Sequence, residues 1–225
     1  MDAKAKRRIE LDRQIEARKE NIIDSAIQEF IENGIDNSKI SDIAKRAEVG
    51  AATVYRYFET KPKLVVECAT KLWHSEMSSL TPLFYPANYN ELNGFEKVRQ
   101  ILNTIGSLYK IRPHLLRLLE QFDNYIVRER ISKEFLQKYE AGIIDTRVMM
   151  LAAVEAGQED GSIRPDIDAV IFNTTAIHST IPLIQKLLLR GDVIQSDREI
   201  DAKTQIALLI DMELSYIKGS KECVG

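Results

Sequence analysis

The chain has 225 residues, of which 44% are hydrophobic and 29% are charged, and its formal net charge at pH 7 is −3. These values suit a globular protein with one or two packed cores and exclude a largely disordered chain. No apolar run approaches the roughly 20 residues that span a bilayer, and the N-terminus lacks the apolar core of a signal peptide. We therefore expect a cytoplasmic protein without a membrane partner.

Positive charge is concentrated near the N-terminus. Residues 1–64 contain 13 Lys/Arg and 12 Asp/Glu, so the remaining residues carry the net negative charge. Lys4, Lys6, Arg7 and Arg8 form a cationic arm ahead of the first predicted helix, and such an arm reaches phosphates or a minor groove. The alternative is a solvated, disordered terminus.

The first predicted helix runs from about residue 15 to 33. Its apolar residues recur at helical spacing and form one stripe: Ile22, Ile23, Ala26, Ile27, Phe30 and Ile31. Gly34 follows, where a left-handed C-terminal cap is favoured. This helix is expected to support the two short helices that come next.

Residues 38–64 contain two short helical patterns separated by a tight break. In the first, Ile40, Ile43, Ala44 and Ala47 form an apolar face. At the break, Gly50 is expected to adopt backbone angles that a side chain would resist. In the second pattern, residues 51–58, Val54 and Phe58 lie on the inner side. This arrangement predicts a helix-turn-helix.

The outer side of the second helix carries residues that suit DNA. Base edges in a major groove are read mainly by the N-terminal residues of one helix, and Ala51, Ala52 and Thr53 occupy that position. The hydroxyl groups of Thr53, Tyr55 and Tyr57 can donate to phosphates. Thr60 is the predicted N-cap of the following helix, and Lys61 lies in its positive first turn, which also suits a phosphate.

A connecting helix is predicted from Lys61 to about Ser79, with a loop over residues 81–94. Five further helical patterns follow, and none has strand-like alternation. We therefore predict an all-α protein of about nine helices. A three-helix N-terminal domain, residues 1–60, is joined by the long helix to a C-terminal bundle, residues 61–225.

The last two predicted helices, residues 167–190 and 198–218, have broad apolar faces. Two copies of this pair can form a four-helix bundle about a twofold axis, which predicts a homodimer. The alternative is that these faces complete the core of a monomer.

The motif residues resemble those of the TetR/AcrR family of transcriptional regulators. The resemblance covers about residues 18–73 and rests on Asp-Ile-Ala, Val-Gly, Thr-Val-Tyr-Arg-Tyr-Phe and Thr-Lys-Pro-Lys-Leu in that order. Where the family has a capping threonine this chain has Lys39, so Ser38 or an uncapped end must begin that helix. Gly50 and Ala51 replace the usual serine and polar residue at the front of the recognition helix.

The resemblance implies a dimer on double-stranded, near-palindromic operator DNA. The implied DNA contacts are Ser38, Lys39, Gly50, Ala51, Ala52, Thr53, Tyr55, Arg56, Tyr57 and Lys61. It also implies a pocket in the second domain for a small, mostly hydrophobic effector whose identity the residues do not specify. The candidate lining residues, each of which can equally be plain core, are Trp73, Tyr109, Phe122, Tyr125, Met149, Asn173 and His178.

Catalysis is not indicated. His74, His114 and His178 lie on different predicted helices without a carboxylate three or four residues later, and there is no Gly-rich phosphate loop or nucleophile elbow. Cys68 and Cys223 lack ligand-like neighbours, so we expect neither a metal nor a cofactor. The leading interpretation is a ligand-responsive regulator, most often a repressor in this family. The alternative is a helical protein-interaction module without an effector.

Overall fold

The computed structural model describes residues 3–191 and 193–219, and in that part of the chain it is all-α, as predicted. The helices near the N-terminus are α1 (Ala3–Asn33), α2 (Ile40–Arg46), α3 (Ala51–Phe58) and α4 (Lys61–Phe84). A 3-10 turn at Tyr89–Glu91 precedes the others. These are α5 (Gly94–Ile111), α6 (Pro113–Arg128), α7 (Lys133–Glu159), α8 (Ala169–Arg190), α9 (Gln195–Arg198) and α10 (Ala202–Ile217).

Tertiary contacts divide the chain into two compact units. The first consists of Met1–His74 and Leu118–Tyr139, and the second of Ser75–Arg117 and Glu140–Gly225. The first unit therefore includes most of α6 and the start of α7 as well as the helix-turn-helix. The expected division at residue 60 concerns which part of the chain binds DNA, and it stays a prediction.

Three helix boundaries differ from the prediction. The last helix begins at Ala202 rather than residue 198, and a separate short helix covers Gln195–Arg198. The four residues of the predicted arm, Lys4, Lys6, Arg7 and Arg8, lie inside α1 rather than ahead of it, because residues 3–33 contain neither Gly nor Pro to stop the helix. The helix α4 continues past Ser79 to Phe84 and contains Pro82. A proline so close to a helix end removes only one backbone hydrogen bond, so the helix tolerates it.

The core of the second unit is formed by α5, α7, α8 and α10, together with Leu80 and Phe84 of α4 and Leu116 of α6. At the start of α5, Asn93 and Glu96 form a capping box, in which the Glu96 N–H donates to Asn93 Oδ1 at 2.9 Å. A Cβ atom at Gly94 would lie 2.0 Å from the backbone N of Gly157, so only glycine allows α5 to approach α7 this closely. The Asp168 side chain caps α8 and the Asp201 side chain caps α10.

Cys68 is buried in the first unit, and burial raises the pKa of its thiol well above the ordinary value. The thiol is therefore in its protonated, less reactive form at neutral pH. Cys223 lies outside the described residues. None of the helices in the described part of the chain combines the length and hydropathy that a bilayer crossing requires.

Candidate nucleic-acid interface

The turn between α2 and α3 is held by hydrogen bonds from two directions. The Val49 N–H donates to Ala44 O at 2.9 Å, and the Asn21 side chain of α1 donates to Ala47 O at 2.9 Å. The left-handed residue of the turn is Glu48, with φ +55°, whereas Gly50 has an ordinary extended conformation with φ −76°. The expectation of a special backbone at Gly50 was therefore wrong, because the chain reverses two residues earlier.

The recognition helix α3 has the two faces that its sequence predicts. Val54 and Phe58 are buried, and Ala51 and Ala52 at its start are exposed. A Cβ atom added at Gly50, the residue before the helix, would meet nothing within 4 Å. The front of α3 is thus an open surface of small side chains, which lets a helix backbone come close to the floor of a groove.

Polar and charged side chains follow this open front. Tyr55 and Arg56 are exposed, and Thr53 and Tyr57 are half-buried. The Arg56 guanidinium lies 5.0 Å from the centre of the Tyr57 ring. Burial raises the pKa of the Tyr57 phenol, but Arg56 and Arg18 lower it by more, so the net pKa falls. Two arginines therefore flank this hydroxyl, an arrangement that favours anions such as phosphate.

The structure places Ser38 and Lys39 differently. Lys39 is exposed and occupies the N-cap position of α2, where its side chain makes no capping hydrogen bond. Ser38 is buried, and its hydroxyl donates to Gly34 O at 2.6 Å. Of the two ways to begin α2, the structure has the uncapped end, because the Ser38 hydroxyl is used by the preceding loop.

Lys61 is half-buried at the start of α4 and bonds to its own chain. Its Nζ donates to Ile35 O at 2.6 Å and to Asp36 O at 3.3 Å, and it lies 5.8 Å from the centre of the Tyr125 ring. Burial lowers the pKa of Lys61. The loop thus uses two of the three N–H donors of this ammonium group, which leaves one for a phosphate.

Three of the seven candidate effector residues lie in the first unit. Trp73 and Phe122 both contact the ring of Tyr139, with ring centres 6.2 Å and 4.7 Å apart. Trp73 Nε1 is buried and has no hydrogen-bond partner among the described residues. Tyr125 faces Lys61 and Arg128, whose cationic groups lie 5.8 Å and 5.3 Å from its ring centre. The structure thus brings Trp73 and Phe122 together around Tyr139.

The other four candidates lie in the second unit. Tyr109 and Met149 pack against its hydrophobic core, and Asn173 is buried. His178 is exposed. The polar positions of α8 therefore do not share one environment, since His178 faces outward whereas Asn173 faces inward.

An apolar groove runs between α8 and α10 in the second unit, with a volume of about 490 Å³. Its lining includes Ile171, Phe172, Leu209, Met212 and Tyr216. Glu213 also lines it and accepts a hydrogen bond from the Thr180 hydroxyl at 3.2 Å. Burial raises the pKa of Glu213 to about 7, so this carboxyl is partly protonated at neutral pH.

Several hydrogen bonds within the first unit could not be predicted from the sequence. Gln121 and Arg128 of α6 bond to Ile35 and Asp36, which lie 86 and 92 positions earlier in the chain. Polar pairs at such separations leave no periodic pattern. In the described part of the chain, no group of three or more His, Cys, Asp or Glu residues could hold a metal ion.

The sequence is similar to those of known helix-turn-helix proteins. Residues 22–68 match the family model described as "Bacterial regulatory proteins, tetR family". The fatty acid metabolism regulator protein of Bacillus subtilis (strain 168) is 26% identical over 162 residues, which cover 68% of this chain and 77% of that protein. The HTH-type transcriptional regulator LuxR of Vibrio harveyi is 25% identical over 157 residues, which cover 69% and 74%.

Solved structures show the same fold. The crystal structure of the transcriptional regulator FadR from Bacillus subtilis in complex with stearoyl-CoA has a TM-score of 0.61 at 20% identity, covering 88% of this chain and 98% of that one. A TetR-family regulator from Marinobacter aquaeolei VT8 has a TM-score of 0.59 at 20% identity, covering 93% and 100%. Residues 22–68 thus form a helix-turn-helix domain of the tetR family, and the described residues have the same fold as solved TetR-family transcriptional regulators.

Proposed function

We propose that the chain is a ligand-responsive repressor that binds a near-palindromic operator as a homodimer. The observation that carries this proposal is the open front of α3, where Ala51 and Ala52 are exposed beside Tyr55 and Arg56. Such a helix fits a major groove about 12 Å wide, with small side chains at the base edges and donors at the phosphates. We also propose that it acts in the cytoplasm on this DNA, and we assign it no catalytic role.

The proposed DNA contacts divide by role. Ala51, Ala52 and Thr53 meet base edges, and Tyr55, Arg56 and Tyr57 meet phosphates. Lys39 and the backbone at Gly50 approach the phosphates beside α3. Lys61 contributes positive charge at the start of α4, although the loop carbonyls compete for its Nζ. Ser38 supports the loop before α2 and contacts DNA only if it gives up its bond to Gly34 O.

Salt dependence tests the phosphate contacts. Arg56→Gln should weaken binding to the DNA upstream of the gene that encodes this protein. It should also reduce the slope of the log binding constant against log salt concentration by about 0.9, because one fewer phosphate is neutralised. Tyr55→Phe removes a neutral donor, so it should weaken binding without changing that slope. The measurement is fluorescence anisotropy with a labelled duplex at several salt concentrations. Arg99→Gln, which removes an exposed arginine of α5 in the second unit away from the groove between α8 and α10, is the control.

An unchanged slope for Arg56→Gln would remove Arg56 from the contact set. If wild-type protein bound this DNA no better than a shuffled duplex, either the operator lies elsewhere or the repressor role fails. A selection for bound fragments from a random duplex library separates these two outcomes.

A second copy of the chain is the proposed occupant of the groove between α8 and α10. The groove is apolar, and large hydrophobic side chains beside it are exposed: Val170, Ile171, Leu208, Met212 and Tyr216. An exposed apolar patch of this kind marks an interaction site. Two antiparallel helix pairs about a twofold axis cover it and form a four-helix bundle. The dimer then presents two recognition helices to successive turns of DNA.

The proposed effector is a hydrophobic chain, with the acyl group of a long-chain acyl-CoA as the first candidate. The buried Nε1 of Trp73 has no partner among the described residues, and the aromatic rings of Phe122 and Tyr139 lie close by. An unpaired donor among aromatic rings suits a hydrophobic ligand that carries a carbonyl oxygen. One relative regulates fatty acid metabolism and another was crystallised with stearoyl-CoA, which supports this class.

Trp73 is the single tryptophan of the chain, so its fluorescence can report the effector directly. We expect stearoyl-CoA to change the Trp73 emission saturably at micromolar concentration, whereas coenzyme A alone should leave it unchanged. Trp73→Phe keeps a ring but loses the N–H, so thermal-shift titration should show about three- to tenfold weaker binding. Equal affinity of this variant would exclude the indole N–H as a ligand contact. No response to any acyl-CoA would exclude the ligand class.

A further inference from the structure

The loop between α1 and α2, residues 34–39, connects the supporting helix to the helix-turn-helix. Gly34 has φ +80°, and its N–H donates to Phe30 O at 2.9 Å, which ends α1. The Ser38 N–H then donates to Gly34 O at 3.2 Å, and Ile40 begins α2 directly after Lys39. Because so few residues separate the two helices, the position of this loop sets the position at which α2 starts.

The backbone of this loop bonds to side chains from distant parts of the first unit. The Ile35 N–H donates to Gln121 Oε1 of α6 at 2.9 Å, while Ile35 O accepts from Lys61 Nζ. A Cβ atom at Gly34 would lie 3.2 Å from the same Gln121 oxygen, so the amide lies directly against the loop. Both polar backbone groups of a buried residue are thus satisfied by side chains.

Arg128, seven residues after Gln121 on α6, makes a second bond to the loop. Its guanidinium donates to both carboxylate oxygens of Asp36, with Nη1–Oδ2 at 2.7 Å. This hydrogen bond holds the pKa of Asp36 below its ordinary value. The buried Tyr125 ring lies within 6 Å of both Lys61 Nζ and Arg128 Cζ. The loop therefore contacts α6 at two points, one on each side of Tyr125 along the helix.

The two contacts differ in strength. Asp36 and Arg128 are 59% and 50% exposed, and ion pairs this exposed contribute little to stability. The bond to Gln121 is part-buried, and losing the acceptor leaves the N–H of buried Ile35 without a partner. An unsatisfied buried donor costs more than an exposed ion pair contributes. Gln121 therefore carries more of the attachment than Arg128.

We propose that Gln121 is a positioning residue for DNA binding, which holds the α1–α2 loop and thereby sets the orientation of the helix-turn-helix, with Arg128 as a weaker second attachment. The segment Leu118–Arg128 then helps to position the helix-turn-helix, although it lies some 60 residues beyond the recognition helix in the chain. It touches no DNA itself. This inference rests on the proposed DNA-binding role only for its consequence, since the attachment of the loop can be measured without DNA.

The test compares two substitutions at Gln121 in the full-length protein. Gln121→Met keeps the length of the side chain but replaces the amide oxygen by a thioether, which is only a weak acceptor. Gln121→Glu keeps an oxygen that can accept from the Ile35 N–H. Hydrogen exchange of peptides covering residues 34–46 is the first measurement, and anisotropy with the upstream duplex is the second. Gln100→Met is the matched control, because the Gln100 side chain donates to Leu83 O in the second unit.

We expect Gln121→Met to exchange about tenfold faster over residues 34–46 and to bind the duplex about five- to tenfold more weakly, because one bond between loop and helix is lost. Gln121→Glu should stay close to wild type in both measurements, and Gln100→Met should leave this segment unchanged. If Gln121→Glu is as harmful as Gln121→Met, the acceptor is not what matters, and the proposal is overturned.

Two further outcomes also decide the matter. Exchange in Gln121→Met that equals wild type shows that Gln121 does not hold the loop. Faster exchange with unchanged DNA affinity shows that the loop does not orient the recognition helix. If the wild-type protein binds neither the upstream duplex nor any duplex selected from the random library, the repressor role fails, but the exchange data still show whether Gln121 holds the loop.

Discussion

Replacing Ala52 by glutamate should reduce the affinity for operator DNA by at least about 100-fold, because a carboxylate is placed among phosphates in the groove. Ala52 is exposed in the first turn of α3, so its side chain points away from the core. A negative charge near the N-terminus of a helix is favourable for the helix itself. The expected loss therefore comes from repulsion at the DNA and not from unfolding.

Anisotropy with the labelled duplex measures this loss, and thermal unfolding checks that the fold is intact. Ala152→Glu is the matched control, since it makes the same substitution at an exposed position of α7 in the second unit. The control should bind like wild type. If Ala52→Glu also bound within about threefold of wild type, the N-terminus of α3 would not enter the groove, because a buried like-charge contact costs far more than that.

Replacing Met212 by aspartate should convert the dimer into a monomer at micromolar concentration. Met212 is 61% exposed and lines the groove between α8 and α10, so the isolated subunit should tolerate the charge. In the dimer the same carboxylate is buried against an apolar surface, and an unpaired buried charge is strongly unfavourable. Ile171→Asp, across the groove on α8, should have the same effect.

Loss of the dimer should also abolish tight operator binding. Two linked recognition helices bind the second half-site at an effective concentration of about millimolar, and a monomer loses this advantage. Sedimentation velocity measures the assembly, and anisotropy measures the DNA affinity. Val148→Asp changes an equally exposed apolar residue on α7 and should remain dimeric. A Met212→Asp protein that sedimented as a dimer would place the interface on another surface.

Local patterns in the sequence were sufficient for the helices and for the two faces of α3. Val54 and Phe58 are buried and Ala51 and Ala52 exposed, because the helical repeat decides which side of a short helix meets its support. These patterns did not predict where α1 begins or where α4 ends. Both α1 and α4 extend beyond the apolar stripes from which they were predicted. A helix continues through polar residues until it reaches a residue that disfavours helix.

The sequence alone thus determined the fold class, the helix-turn-helix and its family. Only the tertiary structure decided that Ser38 is turned inward, that Lys61 bonds to the loop, and that Gln121 reaches Ile35 from α6. The physical reason is one of range. Helical periodicity is a property of neighbouring residues, whereas the partner of a buried polar group depends on which distant segments pack together.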